Sequence, residues 1–296
     1  MEGTILCVGE VLWDSLPAGL FLGGAPFNVA CHLQALGENT AFAGRVGDDE
    51  LGREIRRRME SRGLSGDLVQ VDPELETGFV AVTLDARGSP TFRIVEPSAW
   101  DRLEPTPGLL DAARAARAVV YGSLAQRSET TRETIQNMLA LSPRRVFDVN
   151  LRPPFVDRSV IEAGLQGAYL LKLNEDEWSR FVEWWGLPAE LDRGARALAK
   201  AFGVQAVCVT RGDRGAALWR DGRAFEDPGF RADVVDAVGA GDAFLAGLLS
   251  GLLAGKAPAE ALDFACALGA FVVTRRGATP QHDRGEIEKI RRARLG

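Results

Sequence analysis

The sequence predicts an α/β fold: a doubly wound, mainly parallel sheet flanked by helices, with a small antiparallel β lid. Three observations point to it. Short apolar runs of the kind buried on both faces of a parallel sheet recur along the chain. Segments of helical periodicity separate them, as crossover connections require. One stretch, 77–96, breaks the alternation with two strand-like runs and no helix between them.

The buried-strand runs are 5–8, 119–122, 146–149, 168–173 and 206–210. Helices are expected over 26–36, 51–62, 130–141, 175–185, 192–202, 244–253 and 259–274. In the exceptional stretch, 79–84 and 91–95 flank Asp85-Ala86-Arg87-Gly88-Ser89-Pro90, a hairpin signal. Phe92 and Ile94 alternate with Arg93, giving that strand an apolar face. Together with residues 10–22 it reads as a lid over a site. No repeat, low-complexity tract or linker divides the chain, so residues 1–296 are expected to form one domain. The glycines Gly247, Gly251 and Gly255, spaced by four, predict close helix packing. The Trp178, Trp184 and Trp185 cluster predicts core packing. Arg53 to Arg62, interleaved with Glu54 and Glu60, predicts a solvated helix face.

Composition narrows the function classes. An apolar fraction of 46% and a charged fraction of 26% are those of an ordinary globular protein. A net charge of −6 argues against nucleic acid or an anionic membrane as partner. The N-terminus reads as a strand, without the basic region and long apolar run of a signal peptide. Cys7, Cys31, Cys208 and Cys266 lie far apart in apolar segments, as buried free thiols of a cytoplasmic protein would. His32 and His282 sit in no zinc-binding pattern.

The chemistry concentrates in Asp236-Ala237-Val238-Gly239-Ala240-Gly241-Asp242, which runs into an apolar helical pattern. Gly239, Ala240 and Gly241 should make a tight turn opening a helix. Such a turn aims unpaired amides, and the positive end of the helix dipole, at one spot. A carboxylate beside an anion site makes sense if Asp242 takes a proton from a hydroxyl while the amides hold the phosphate it attacks. The competing reading is a plain glycine loop with Asp242 as a helix N-terminal acid. Neither a P-loop nor a dinucleotide fingerprint is present. Only four lysines occur, Lys172, Lys200, Lys256 and Lys289, and none adjoins this turn in sequence, so amides, Mg²⁺ and arginine are expected to meet phosphate charge.

Ligands of such sheets bind beyond the strand carboxyl ends. Polar residues gather there: Asp14, Gly122 and Ser123, then Asp148, Asn150 and Arg152, then Asn174 and Glu177, then Thr210, Gly212 and Gly215. Each alone has an alternative reading as a cap or turn residue.

With these motifs in order, the chain resembles the ribokinase-like, or PfkB-type, carbohydrate kinases over nearly its whole length. Gly23-Gly24-Ala25-Pro26-Phe27-Asn28 and Gly44-Arg45-Val46-Gly47-Asp48 carry the N-terminal half of the resemblance, and 236–242 the other. Ala99-Trp100-Asp101, 122–127 and 148–153 look most similar to bacterial fructokinases. The resemblance implies transfer of the ATP γ-phosphate to a sugar hydroxyl. Asp242 would be the base, and the amides of Ala240, Gly241 and Asp242, with Gly239, the anion hole. Asp14, Gly23, Gly24, Asn28, Gly122 and the lid residues Phe92 and Ile94 would bind sugar. Arg152 would serve sugar or the transferred phosphate. Asn174 and Glu177 would support Mg²⁺ and phosphate through water, and Thr210, Gly212 and Gly215 would line the nucleotide. Asp236, with Gly277 and nearby carbonyls, matches a loop that holds a monovalent cation such as K⁺ in many members. Here Ala237 replaces the threonine common in that loop. The acceptor implied is fructose, with 2-keto-3-deoxygluconate, ribose or a nucleoside as alternatives, and a silent sugar-binding regulator as a further one. A homodimer is expected through the lid's apolar face.

Overall fold

The computed structural model describes residues 3–16, 19–84 and 90–295. The turn of the expected lid hairpin, 85–89, and the side chain of Phe92 lie outside the described residues. In chain order the strands are β1 (Ile5–Val8), β2 (Leu12–Leu16), β3 (Gly19–Gly23), β4 (Thr40–Gly47), β5 (Val69–Asp72), β6 (Gly78–Leu84), β7 (Pro90–Ile94), β8 (Ala118–Gly122), β9 (Arg145–Asp148), β10 (Leu170–Asn174), β11 (Ala206–Thr210), β12 (Ala216–Arg220) and β13 (Arg223–Asp227). The helices are α1 (Ala25–Ala35), α2 (Glu50–Ser61), α3 (Pro107–Ala115), α4 (Glu129–Leu141), α5 (Arg158–Leu165), α6 (Glu175–Trp185), α7 (Leu191–Phe202), α8 (Ala240–Leu253), α9 (Pro258–Val273) and α10 (Arg284–Leu295).

A large sheet runs β13-β12-β11-β10-β9-β8-β1-β4-β5. Its pairs are parallel from β5 to β11, and only the β11–β12 and β12–β13 pairs are antiparallel. Helices cover both faces, burying one apolar cluster beneath α1, α8 and α9 and a second beneath α3 to α7. A second sheet, β3-β2-β6-β7, joins two antiparallel hairpins through a parallel β2–β6 pairing. That parallel seam was not anticipated. It lets residues far apart in the chain, 12–14 and 78–80, share one ribbon.

The fold class agrees with expectation, while β4, β5, β12, β13, α3, α5 and α10 were not foreseen. β4 mixes Gly44 and Arg45 into a buried strand, which blurs its apolar signal. Trp178 is buried, and Trp184 and Trp185 pack on Phe181 and Phe202. Arg53, Arg57 and Arg58 pair with Glu50 and Glu54 on an exposed face. Gly247 and Gly251 admit α9: a Cβ would stand 3.1 Å from Ala265 Cα or 2.8 Å from Ala261 Cβ. Gly255 differs. Nothing lies within 4 Å, and its φ of +74° caps the helix end. The four cysteines are buried and free. Among the described residues no helix is long and apolar enough to cross a membrane.

Candidate active site

The carboxyl ends of β1, β8, β9, β10 and β11 face the starts of α1 and α8. Gly239 caps α8 with φ +78°, and a Cβ there would overlap the Ala278 carbonyl. Only glycine fits this turn. Among the described residues the amides of Gly241 and Asp242 have no backbone acceptor, so both remain available to an anion. The Ala240 amide differs from expectation: it reaches the Ala237 carbonyl at 3.4 Å. The turn therefore offers two wholly free amides where three were anticipated.

Asp242 stands in the first turn of α8, and its Oδ2 accepts Asn28 Nδ2 at 2.8 Å. Burial, reinforced by the negative charge of Asp148, pushes its carboxyl up to about 6; Lys172, Asn28 and Arg152 oppose this. Asn28 Oδ1 is buried and has no partner among the described residues. A ligand hydroxyl could satisfy it.

Lys172 corrects the view that no lysine adjoins the turn. It lies in β10, buried, with Nζ 3.0 and 3.2 Å from the Asp148 carboxylate oxygens. The same Nζ is 3.2 Å from where a Gly241 Cβ would stand. Burial disfavours its charge, but Asp148, Glu177 and Asp242 outweigh that and hold it above the usual lysine range. The sequence carried a signal for it: a lysine inside an otherwise apolar buried strand, two residues before Asn174.

In the small sheet, Asp14 lies on β2, half-buried, with burial raising its carboxyl to about 6 and Arg152 opposing. A Cβ on Gly23 would press on Asp14 Oδ2, and one on Gly24, at φ +112°, would strike the Glu10 backbone. Glu10 was missed. It is buried and accepts the Ala25 amide through Oε1, while Oε2 has no partner among the described residues; burial raises it to about 7. Arg152 is exposed, donates among the described residues to the Leu151 carbonyl, and draws down the carboxyls of Glu10, Asp14 and Asp242. Gly122 ends β8, its would-be Cβ 3.4 Å from the Asp148 carbonyl. Ile94 pairs with Val80 and packs against the Trp100 cluster.

Asn174 and Glu177 form a reciprocal capping box on α6, at 2.9 and 2.8 Å. Glu177 Oε1 also accepts the Leu151 amide at 2.8 Å, tying the β9 loop to α6. Each Glu177 oxygen thus already holds one amide.

A cavity of about 790 Å³ adjoins the turn on its other side. Thr210, Gly212, Gly215, Ala240 and Gly241 line it, with Phe230, Val234 and Phe244 among its apolar walls. Asp236 organises the lip: Oδ1 accepts the Val238 amide and Oδ2 the Gly277 amide, each at 3.0 Å. Phe21 of β3 approaches Gly277, within 3.6 Å of where its Cβ would be, so the small sheet touches this loop.

The pfkB family carbohydrate kinase pattern matches residues 18–284. The chain belongs to that family. It is 32% identical over 299 residues to the fructokinase of Escherichia coli, covering 94% of this chain and 95% of that one. It is 33% identical over 301 residues to the fructokinase of Klebsiella pneumoniae, covering 94% and 95%. The fold matches the crystal structure of fructokinase with bound ATP from Xylella fastidiosa, with a TM-score of 0.86, 24% identity and 100% of both chains covered. This pfkB carbohydrate kinase is accordingly a phosphotransferase acting on a sugar hydroxyl.

Proposed function

We propose that the protein is an ATP-dependent fructokinase forming fructose 6-phosphate, with Asp242 as base. One observation carries the mechanism: a carboxyl raised to about 6 stands beside two free amides at the start of α8. A base poised near the working pH and an anion site next to it are what phosphoryl transfer to a hydroxyl needs. Fructose is favoured because relatives similar over 94% of this chain, those of Escherichia coli and Klebsiella pneumoniae among them, are fructokinases.

The sugar lies against Asp14, Gly23, Gly24, Asn28, Gly122 and Arg152, with its reacting hydroxyl on Asp242. ATP occupies the 790 Å³ cavity along Thr210, Gly212 and Gly215, its γ-phosphate at the Gly241 and Asp242 amides. Asp242 accepts the hydroxyl proton as the sugar oxygen attacks the γ-phosphorus, the bond to the β–γ bridging oxygen breaks and ADP leaves. Lys172, beside Gly241, lends positive charge to the same spot. The donor set suits Mg²⁺ through water, since Glu177 has one amide on each oxygen and a lone pair left on each. Bound there with the phosphates, Mg²⁺ would neutralise their charge. Asp236 already closes its loop onto Val238 and Gly277, so no step is assigned to K⁺. The β3-β2-β6-β7 sheet serves as the lid on one kinase domain, and its outer face pairs two subunits.

A coupled ADP-release assay with MgATP tests this against D-fructose, ribose, 2-keto-3-deoxygluconate and nucleosides. Fructose should give the highest kcat/KM. Faster turnover of another acceptor would replace the substrate, and no turnover of any would remove the catalytic reading.

A further inference from the structure

His32 and His282, the molecule's only histidines, are both buried, and their rings face each other behind the catalytic turn. His32 Nδ1 lies 2.9 Å from His282 Nε2, and His32 Nε2 lies 2.9 Å from the Ala278 carbonyl. The rings stack with centroids 5.1 Å apart, and Phe271 stands edge-on to His282 at 5.8 Å. A carbonyl can only accept, so His32 Nε2 carries a hydrogen. In the neutral ring Nδ1 is then an acceptor, and His282 Nε2 must donate to it. In a neutral ring that leaves His282 Nδ1 without a hydrogen, a buried acceptor with no partner among the described residues. Burial, with His282 as the next cause, presses His32 down to about 3, so the ring stays neutral and the donor order is fixed.

Two further contacts give this chain of donors a destination. The Ala278 carbonyl that His32 holds is the one packed against Gly239, where no Cβ fits. Its neighbour Gly277 donates to Asp236, the first residue of the same motif. One helical turn before His32 on α1, Asn28 donates to Asp242. So α1 grips the site twice: directly at the base, and through His32 and Ala278 at the turn presenting the free amides.

We infer that His32 is a positioning residue for phosphoryl transfer: by holding the Ala278 carbonyl against Gly239, it sets the Gly241 and Asp242 amides relative to the Asp242 carboxylate. The inference rests on the kinase reading above. His282 orders the tautomer that makes His32 a donor at Nε2. Neither histidine lines the cavity beside the turn. A small shift of prepositioned donors is enough to slow a transfer step while leaving substrate binding intact.

The test compares His32→Leu, His32→Gln and Asp242→Asn with the parent enzyme, using MgATP and the sugar with the highest kcat/KM. Gln can place an amide N–H near the position of Nε2, whereas Leu cannot. For H32L we expect kcat about 10- to 100-fold down with sugar KM changed less than about threefold, and for H32Q recovery to within about threefold of the parent. A purely structural role would lower the melting temperature of both variants without this kcat split or the rescue. Parent-level kcat in H32L, or equal losses in H32L and H32Q, would overturn the inference while D242N still abolished turnover. If D242N kept its turnover, the base reading would fall and this inference with it. Should H32L not fold, ¹⁵N NMR of the parent enzyme decides: a His32 protonated at Nε2 and bare at Nδ1 supports the relay, and the opposite tautomer sinks it.

Discussion

Asn28 Nδ2 donates to Asp242 Oδ2 at 2.8 Å, joining residues 214 positions apart. The two start different helices, α1 and α8, and the bond closes the gap between them. In the proposed reading it ties the side that takes sugar to the side that receives phosphate. It also opposes the rise in the Asp242 carboxyl, as the proposed base requires near neutral pH.

Replacing the base should separate chemistry from binding. Asp242→Asn should lower kcat by about 10²–10⁴-fold or more, the usual effect of removing a general base. Sugar Kd, measured calorimetrically, should change little. Retention of parental kcat would take Asp242 out of the mechanism.

The pH profile should carry the same signature. Asp242 must be unprotonated to act, and its carboxyl lies at about 6, so kcat should fall as pH drops through about 6. Asn28 holds that value down, so Asn28→Ala should move the acid limb to higher pH. A limb unmoved by this change would assign it to another group, Asp14 being the first to examine.

Asp14→Ala should act mainly on the sugar. Its carboxylate can accept from two neighbouring hydroxyls, and leaving them buried and unpaired costs roughly 1–3 kcal/mol. Sugar Kd should weaken by about 5- to 150-fold, the equivalent of that energy. A change confined to ATP KM would move Asp14 to the other subsite.

Lys172 and Asp148 form a buried pair, both under a tenth exposed. Breaking it leaves a lone buried charge, so Lys172→Met should destabilise by about 3–5 kcal/mol, whereas Lys172→Met with Asp148→Leu should recover much of that. Denaturant unfolding measures both. Turnover should stay low in the double variant, because the positive charge beside Gly241 is gone in either case.

The lid proposal turns on exchange and scattering. Saturating sugar should slow amide hydrogen exchange across 12–23 and 77–95, and Ile94→Asp should raise sugar KM and ATP hydrolysis without sugar together. Light scattering at micromolar concentration should give a dimer mass. A monomer would end the pairing of lids, and unchanged exchange would end the closure.

Much of the site was legible because it is local. Gly239 to Asp242 makes its turn from its own glycines, and Asn174 with Glu177 makes its capping box within one helical turn. The alternation of apolar runs and helical periods likewise marks a parallel sheet, since a strand buried on both faces has little choice of composition. Such features depend on neighbours in sequence, and the sequence alone determined them. Others depend on which strands lie side by side. Lys172 is nearly 70 residues from Gly241 in the chain, and only the β9–β10 register places it between Asp148 and the turn. Glu10, the Asn28 bond to Asp242 and the engaged Ala240 amide are of the same kind. So is the histidine relay: two isolated residues meet because α1 packs beside the chain that follows α9. Burial and long-range approach fix the protonation of these groups, and neither exists until the sheet and its helices have come together.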